Sequence, residues 1–254
     1  MTKIIISGIL GKMGRNVLEL AQADSEIEIV AGVDLQESEI CNVPVYGSFA
    51  DLAQKADAVI DFSSAANLNN VLAYCKKTGA AAILCATGYS DSDIAAIETA
   101  GRDIAVFKTA NLSIGVNLLQ KLVKEAAAFL GESFDVEIIE KHHNLKKDAP
   151  SGTAYMLAES VNEAFGGDKQ YVYGREGMVG AREKRELGIH AVRGGTIVGE
   201  HEVMFAGEDE IITLSHSARS KRVFAAGALK AAKFMKGRPA GKYDMQNIID
   251  HLDA

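Results

Sequence analysis

Between residues 140 and 154 the chain reads Glu140-Lys-His-His-Asn-Leu-Lys-Lys-Asp-Ala-Pro-Ser-Gly-Thr-Ala154. Two adjacent imidazoles, His142 and His143, are followed by Lys146 and by a Ser151-Gly152-Thr153 turn that opens onto a helical pattern. Imidazole gives or takes a proton near neutral pH. An ammonium group and the N-terminus of a helix both attract anions. The combination suits proton transfer to a small anionic substrate. Pro150 is well placed just before a helix, and Ser151 can cap it, which directs the Gly152 and Thr153 N–H groups toward a carboxylate. Asp148 is close enough in sequence to orient a charged neighbour. No further Cys/His/Asp/Glu cluster completes a ligand set around the histidine pair, so no metal is expected.

A second constellation lies at the start of the chain. Gly8-Ile9-Leu10-Gly11-Lys12-Met13-Gly14 follows an apolar run and precedes a helical pattern. Such a turn brings backbone close to a pyrophosphate, which then rests on exposed helix N–H groups. Leu10 stands where the usual fingerprint has a second glycine. Asp34 lies about 20 residues past Gly14, where a carboxylate meets the ribose hydroxyls of a dinucleotide. It favours NADH, since it would repel a ribose phosphate and Leu35 and Gln36 follow it rather than a base. Lys12 can still supply charge to a 2′-phosphate, so NADH and NADPH both remain open. Ligands of open parallel sheets sit beyond the carboxyl ends of the strands. That places Phe62 and Ser63, then Cys85-Ala86-Thr87-Gly88, then Thr109-Ala110-Asn111-Leu112, along the same groove.

The elements that must position these groups follow from periodicity. Short apolar runs at residues 3–7, 27–33, 58–62, 81–85 and 104–108 alternate with helical patterns at 13–23, 65–78 and 90–100. This βαβ rhythm predicts a Rossmann-type, doubly wound parallel sheet. A long amphipathic helix is predicted over 112–130, a strand over 134–141 and a helix over 153–165. Strands follow over 189–192, 197–205 and 210–218, where apolar and polar residues alternate as in half-exposed antiparallel strands. An alanine-rich helix over 222–235 is expected to return to the first domain. The reading is α/β: residues 1–111 with 222–254 form a dinucleotide-binding domain, and residues 112–221 form an α+β domain with a mostly antiparallel sheet.

Composition sets limits. The chain has 254 residues, 48% of them hydrophobic and 24% charged, as in ordinary globular proteins. A formal net charge of −7 argues against a general nucleic-acid binder. No apolar stretch approaches the roughly 18 residues that cross a bilayer. Three cysteines, Cys41, Cys75 and Cys85, lack metal-ligand spacing and read as reduced thiols in a cytoplasmic protein.

The string from Glu140 to Ala154 closely resembles the signature of the dihydrodipicolinate (4-hydroxy-tetrahydrodipicolinate) reductase family, and the likeness extends over essentially the whole chain. Gly8–Gly14 resembles the family's nucleotide loop, Cys85-Ala86-Thr87-Gly88 its nicotinamide-side loop, and Thr109-Ala110-Asn111-Leu112 its interdomain strand end. The departures are Leu10, Cys85 where glycine is frequent, and the missing basic residue after Asp34. The resemblance implies NAD(P)H-dependent reduction of a cyclic dicarboxylate to tetrahydrodipicolinate, in the diaminopimelate route to lysine. It implies His142 as proton donor and acceptor and Lys146 as a second donor or a carboxylate partner. It further implies that His143, Ser151, Gly152 and Thr153 hold the substrate, and that the protein is a homotetramer built through the second domain's sheet. Two alternatives stand beside it: another two-domain dehydrogenase of amino-acid metabolism, and a non-catalytic dinucleotide-binding sensor.

Overall fold

The computed structural model describes residues 1–252. In chain order the elements are β1 (Thr2–Ser7), α1 (Lys12–Gln22), β2 (Ile27–Val33), β3 (Ser38–Ile40), β4 (Val43–Tyr46), β5 (Ala58–Asp61), α2 (Leu68–Thr78), β6 (Ala81–Leu84), α3 (Asp91–Ala100) and β7 (Ala105–Lys108). Then come α4 (Ile114–Leu130), β8 (Asp135–His142), α5 (Gly152–Ala164), β9 (Gln170–Tyr173), β10 (Glu186–Arg193), β11 (Gly199–Ala206) and β12 (Ile211–Ala218). The chain ends with α6 (Arg222–Met235), β13 (Gly241–Tyr243) and α7 (Met245–Leu252). Two compact units result: Met1–Ile114 with the chain from Arg222 onward, and Gly115–Lys221.

In the first unit eight strands run in the order β13-β7-β6-β5-β1-β2-β4-β3, all parallel except β3 against β4. Ile4, Ile5 and Ile6 of the central β1 have no exposed surface, as expected of a strand covered on both faces. Ile4 and Ile6 pack with Val17 and Leu18 of α1 and Ala228 and Ala232 of α6. Ile5 faces the other way, onto Val71 and Leu72 of α2 and Ile97 of α3. This is the doubly wound sheet the βαβ rhythm predicted, and α6 returns to it. A Cβ on Gly227 would run into the Leu112 carbonyl oxygen, so a glycine is what lets α6 lie this close. Helix ends are specified locally: a capping box joins Ser90 and Asp93 at the start of α3, and Gly79, at φ +78°, ends α2 in the left-handed conformation.

In the second unit five strands run in the order β12-β11-β8-β10-β9. The long β11–β12 and β11–β8 ladders are antiparallel, as expected, and β10 and β9 extend the sheet in parallel. One face is apolar: Val136, Ile138, Leu187, Ile189, Val203 and Phe205 meet Leu119 and Val123 of α4 and Leu157 and Val161 of α5. The opposite face carries Glu137, only 9% exposed. It accepts hydrogen bonds from both terminal nitrogens of Arg175, from Arg182 Nε and from His190 Nε2 at 2.7–3.1 Å. Gly188 across the ladder has no side chain, and any Cβ there would collide with the Glu137 carboxylate.

The structure differs from the sequence reading in places. The helix read over 65–78 is a 3-10 turn at Ala65–Asn67 followed by α2. The sequence reading misses β3, β4, β9 and β13. At three or four residues they are at most one residue shorter than β5, β6 and β7, but polar residues or a proline interrupt them where those strands are apolar runs. α7 carries its signal at Met245, Ile248 and Ile249, all buried. β8 extends one residue further than read, so His142 lies in the strand rather than in the loop. Among the described residues no helix is long and apolar enough to cross a membrane.

Burial alone would push the Glu137 carboxyl up, but hydrogen bonds from Arg175, His190 and Arg182 outweigh it and bring it down to about 2 from 4.5. A depressed folded-state value gives stability that is present above the unfolded value and is lost as pH falls toward the folded one. Acid titration followed by circular dichroism should therefore show stability falling between about pH 5 and pH 2. Glu137→Gln should already have lost on the order of a few kcal/mol at neutral pH, with a flatter acid dependence.

Candidate active site

Two sites take shape, one in each unit. In the first, β1 ends at Ser7 and the chain turns at Gly8, whose φ of +77° suits glycine. A Cβ on Gly8 would lie 2.9 Å from the Phe62 carbonyl, so the turn passes directly over the end of β5. A Cβ on Gly14 would collide with the Gly8 carbonyl oxygen and stand 2.6 Å from Ile9 Cα. These contacts hold α1 against the turn. α1 begins after Gly11 with no side-chain cap and no acidic residue in its first turn. Its leading N–H groups are those that phosphate oxygens satisfy in dinucleotide folds.

Asp34, at the end of β2, accepts from the Leu10 N–H at 2.9 Å and from the Leu35 N–H at 2.8 Å. The carboxylate thus ties the glycine turn as well as marking the groove. Leu10 packs against the core, as does Met13, and Ile9 is fully buried. Ile9 can therefore offer a cofactor only its backbone, whereas Leu10 and Met13 are partly buried. A cavity of about 500 Å³ is lined by Gly8, Gly11, Asp34, Phe62 and Ser63, together with Asn67. Ser48, Phe49 and Asn70 also border it, and the sequence reading missed these three and Asn67. Asp61 beneath it is fully buried and pushed up by that burial, and its Oδ1 accepts from the Ser63 hydroxyl at 2.5 Å.

Cys85, Ala86, Thr87 and Gly88 follow β6, with Gly88 at φ +79°. Burial pushes the Cys75 and Cys85 thiols up, so neither is a thiolate at neutral pH. Beyond β7, Thr109 Oγ1 donates to the Asn111 carbonyl at 3.1 Å and the Ser113 N–H donates to Asn111 Oδ1 at 2.8 Å. Leu112 is buried in the core. Neither segment lines the cavity; both sit at neighbouring strand ends of the same sheet. Lys12 is exposed at the start of α1.

In the second unit the apolar face of the sheet turns polar at one end. Glu140 and His142 continue the parity of Val136 and Ile138 along β8, His201 continues that of Val203 on β11, and Arg193 that of Leu187 and Ile189 on β10. Glu140 has no exposed surface. Its Oε2 meets His142 Nδ1 at 2.6 Å and Arg193 Nη1 at 2.7 Å, and its Oε1 accepts from Arg193 Nη2 at 2.8 Å and the Ser151 N–H at 3.0 Å. Burial would raise its carboxyl; the hydrogen bonds from Arg193 and His142 outweigh that and hold it below the usual range. Ser151 caps α5, accepting from the Ala154 N–H at 3.2 Å, and its Oγ lies 2.9 Å from His201 Nε2. Burial and the neighbouring His142 bring His201 down to about 4, so this ring is neutral at working pH.

Residues 143–151 loop over this cluster. Lys146 Nζ meets both carboxylate oxygens of Asp148 at 2.7–2.8 Å, and the Lys146 N–H donates to the His143 carbonyl at 3.1 Å. His143 Nδ1 is buried without a hydrogen-bond partner among the described residues. A Cβ on Gly152 would meet nothing within 4 Å, so space opens over the start of α5. Among the described residues no group of side chains is arranged to hold a metal ion.

Family models for dihydrodipicolinate reductase match the chain twice, the N-terminal one over residues 2–112 and the C-terminal one over residues 115–249. The chain belongs to the dihydrodipicolinate reductase family. It is 48% identical to the 4-hydroxy-tetrahydrodipicolinate reductase of Caldanaerobacter subterraneus subsp. tengcongensis, over 98% of both chains. With that of Clostridium tetani it is 44% identical, again over 98% of both. The dipicolinate-bound dihydrodipicolinate reductase from Paenisporosarcina sp. TG-14 superposes with a TM-score of 0.82 at 26% identity, covering 98% of this chain and 99% of that one. The diaminopimelate dehydrogenase of C. glutamicum, at 13% identity and a TM-score of 0.54 over 96% and 92% of the two chains, shares the fold.

Glu140, Arg193 and His201 were not singled out as site residues from the sequence of this reductase-family chain. The signal was present in the strand alternation: a charged or imidazole residue at the last core-facing position of a strand has to be paired, and several neighbouring strands carry one.

The contacts at Gly14 carry a direct test. Gly14→Ala places a methyl group against rigid backbone, so it should destabilise the protein by at least about 1–3 kcal/mol in denaturant unfolding and weaken dinucleotide binding. Unchanged stability would show that the turn has room to spare.

Proposed function

We propose that the chain reduces 4-hydroxy-tetrahydrodipicolinate to tetrahydrodipicolinate with a reduced nicotinamide dinucleotide, on the diaminopimelate route to lysine. The first unit is the dinucleotide-binding domain; the second binds substrate and builds a homotetramer. The observation that carries this reading is His142, hydrogen-bonded through Nδ1 to a buried carboxylate, beside Lys146 and the open start of α5. That grouping pairs a proton donor with an anion site, and a non-catalytic sensor has no use for it.

The residues of the glycine turn fit a dinucleotide: the α1 terminus lacks a side-chain cap, Gly8 and Gly11 line the cavity, Gly14 lets α1 start close against the turn, and Asp34 borders the cavity. When bound, the reduced nicotinamide supplies the hydride. The substrate's ring loses water, and the remaining unsaturated ring takes up the hydride together with one proton. Lys146, His143 and the backbone at Gly152 and Thr153 hold the two carboxylates, with Ser151 fixing the start of α5. His142 delivers the proton from Nε2, and Glu140 stabilises the imidazolium beforehand. Asp34 without a following basic residue supports NADH over NADPH, since a ribose phosphate would meet a carboxylate. The homotetramer reading is supported by the sheet face opposite α4 and α5, where Ile139 and Met204 are half-buried and Val192 is 45% exposed.

The assay is oxidation of NADH or NADPH with enzymatically generated substrate, followed by absorbance. Substrate-dependent oxidation is expected, faster with NADH at equal concentration; oxidation of neither cofactor would overturn the reading. General acid catalysis is typically worth about 10²–10⁴ in rate, so His142→Gln should lose kcat by at least roughly tenfold with cofactor binding near normal. Lys146→Ala should raise KM for substrate and weaken binding of dipicolinate, a planar dicarboxylate. A variant whose only change is stability would remove Lys146 from the site.

A further inference from the structure

We propose that Glu140, clamped by Arg193, is the positioning residue that fixes the proton of His142 on Nδ1 and so makes Nε2 the atom that exchanges a proton with substrate. This rests on His142 being the proton donor of the reaction above, and the test keeps the two apart.

Four donors converge on Glu140: the His142 ring, the Ser151 N–H and two nitrogens of Arg193. An ionised carboxylate only accepts. At 2.6 Å from Oε2, Nδ1 must therefore carry the hydrogen, because two lone pairs at that distance repel. Nε2 is left as the second ring nitrogen, and it points toward Gly199, where a Cβ would stand 3.1 Å away. Gly199 does not have a positive φ, so its lack of a side chain serves space rather than backbone conformation.

The other groups around the ring do not compete for Nδ1. On β11, His201 stands edge-on with centroids 5.2 Å apart, engages Ser151 through Nε2 and is neutral. His216 of β12 lies across the ladder from His201. In the loop, Lys146 and Asp148 pair with each other. On β10, Arg193 is in register with His142, and its Nη2 also donates to the Asp148 carbonyl at 2.7 Å. One guanidinium thus holds the carboxylate that orients the imidazole and the loop that carries Lys146.

The test is the tautomer of His142, read by long-range ¹H–¹⁵N correlation on the ¹⁵N-labelled full chain without substrate, above the pH at which the ring titrates. His142→Gln assigns the signal. The wild-type protein should show the Nδ1–H tautomer; Nε2–H there would overturn the proposal, and this measurement needs no variant to fold. In Glu140→Gln the amide oxygen stays with the fixed Ser151 N–H, which turns the NH₂ group toward the ring. His142 should then switch to Nε2–H, and kcat should fall by about 10²–10⁴ with KM little changed. A ring that keeps Nδ1–H in that variant overturns the proposal whatever happens to activity. A switched ring with undiminished kcat would overturn the proton-donor reading and leave the tautomer lock standing.

Discussion

A carboxylate with no access to water has to be satisfied by the protein, and Glu140 organises its unit around that requirement. Removing a carboxylate from water costs several kcal/mol unless donors replace the lost hydration. The donors come from three places: the end of β8 itself through His142, the end of β10 through Arg193, and the start of α5 through the Ser151 N–H. None of these can shift without stranding the charge. The two strand ends and the helix start are therefore held at fixed distances by one group, and the loop between them inherits that rigidity through the Asp148 carbonyl. Glu137, on the opposite face of the same strand, repeats the solution with Arg175, Arg182 and His190. There the donors fasten the segment from Gly174 to Arg185 rather than a reactive group.

The glycine turn follows a different physical rule. Asp34 and Arg15 bond to its backbone, at the Leu10 N–H and the Leu10 carbonyl, but its geometry is set mainly by where side chains are missing. Gly8 lies against the end of β5, Gly14 against Gly8, and Gly32 against Ile9, whose side chain a Cβ on Gly32 would meet at 2.7 Å. The absent Cβ at Gly8 and Gly14 lets two backbones approach and that at Gly32 admits the Ile9 side chain, and the accumulated closeness leaves the first N–H groups of α1 at the mouth of the sheet. Leu10 fits this account. The position does not itself need to be small, because its side chain turns into the core while its N–H is held by Asp34.

Much of this was legible in the residues. The strands β1, β2, β5, β6 and β7 sit in continuous apolar runs and so reveal themselves, and their alternation with helices dictates a parallel sheet. The grouping of His142, His143, Lys146 and Ser151 was equally visible, because chemistry-bearing residues stood within a dozen positions of one another. What stayed hidden depends on long-range pairing. Arg193 meets Glu140 only because β10 lies parallel to β8 in one register, and His201 meets Ser151 only because β11 lies antiparallel on the other side. Strand order within a mixed sheet is a property of the whole unit, and no local window contains it. Asn67, Asn70 and Ser48 escaped for the same reason, being brought to the cavity by a 3-10 turn, the first turn of α2 and the loop after β4 rather than by a motif.

The parity of the second unit's strands links folding to chemistry more closely than the motif alone suggests. A sheet face that packs helices must be apolar where they cover it, and Val136, Ile138, Val203 and Phe205 meet that demand. Where the helix α5 begins, the cover of aliphatic side chains ends and the polar start of the helix takes its place, with the Ser151 hydroxyl capping the Ala154 N–H and the Ser151 N–H donating to Glu140. Polar residues of the same parity are then tolerated, provided they bond to one another or to that helix start. Glu140, His142, Arg193 and His201 occupy that strip. The site therefore lies where the packing rule of the face changes from apolar contact to hydrogen bonding. An imidazole placed there is buried enough to be held in one orientation, at 9% exposure, while Gly199 keeps a side chain away from its outer nitrogen. Had His142 stood one position later, the strand's alternation would have turned it to the opposite face, away from Glu140 and the start of α5. His143, the next residue, lies past the end of β8, where the loop rather than the strand's alternation sets its direction, and its Nδ1 is buried without a hydrogen-bond partner among the described residues.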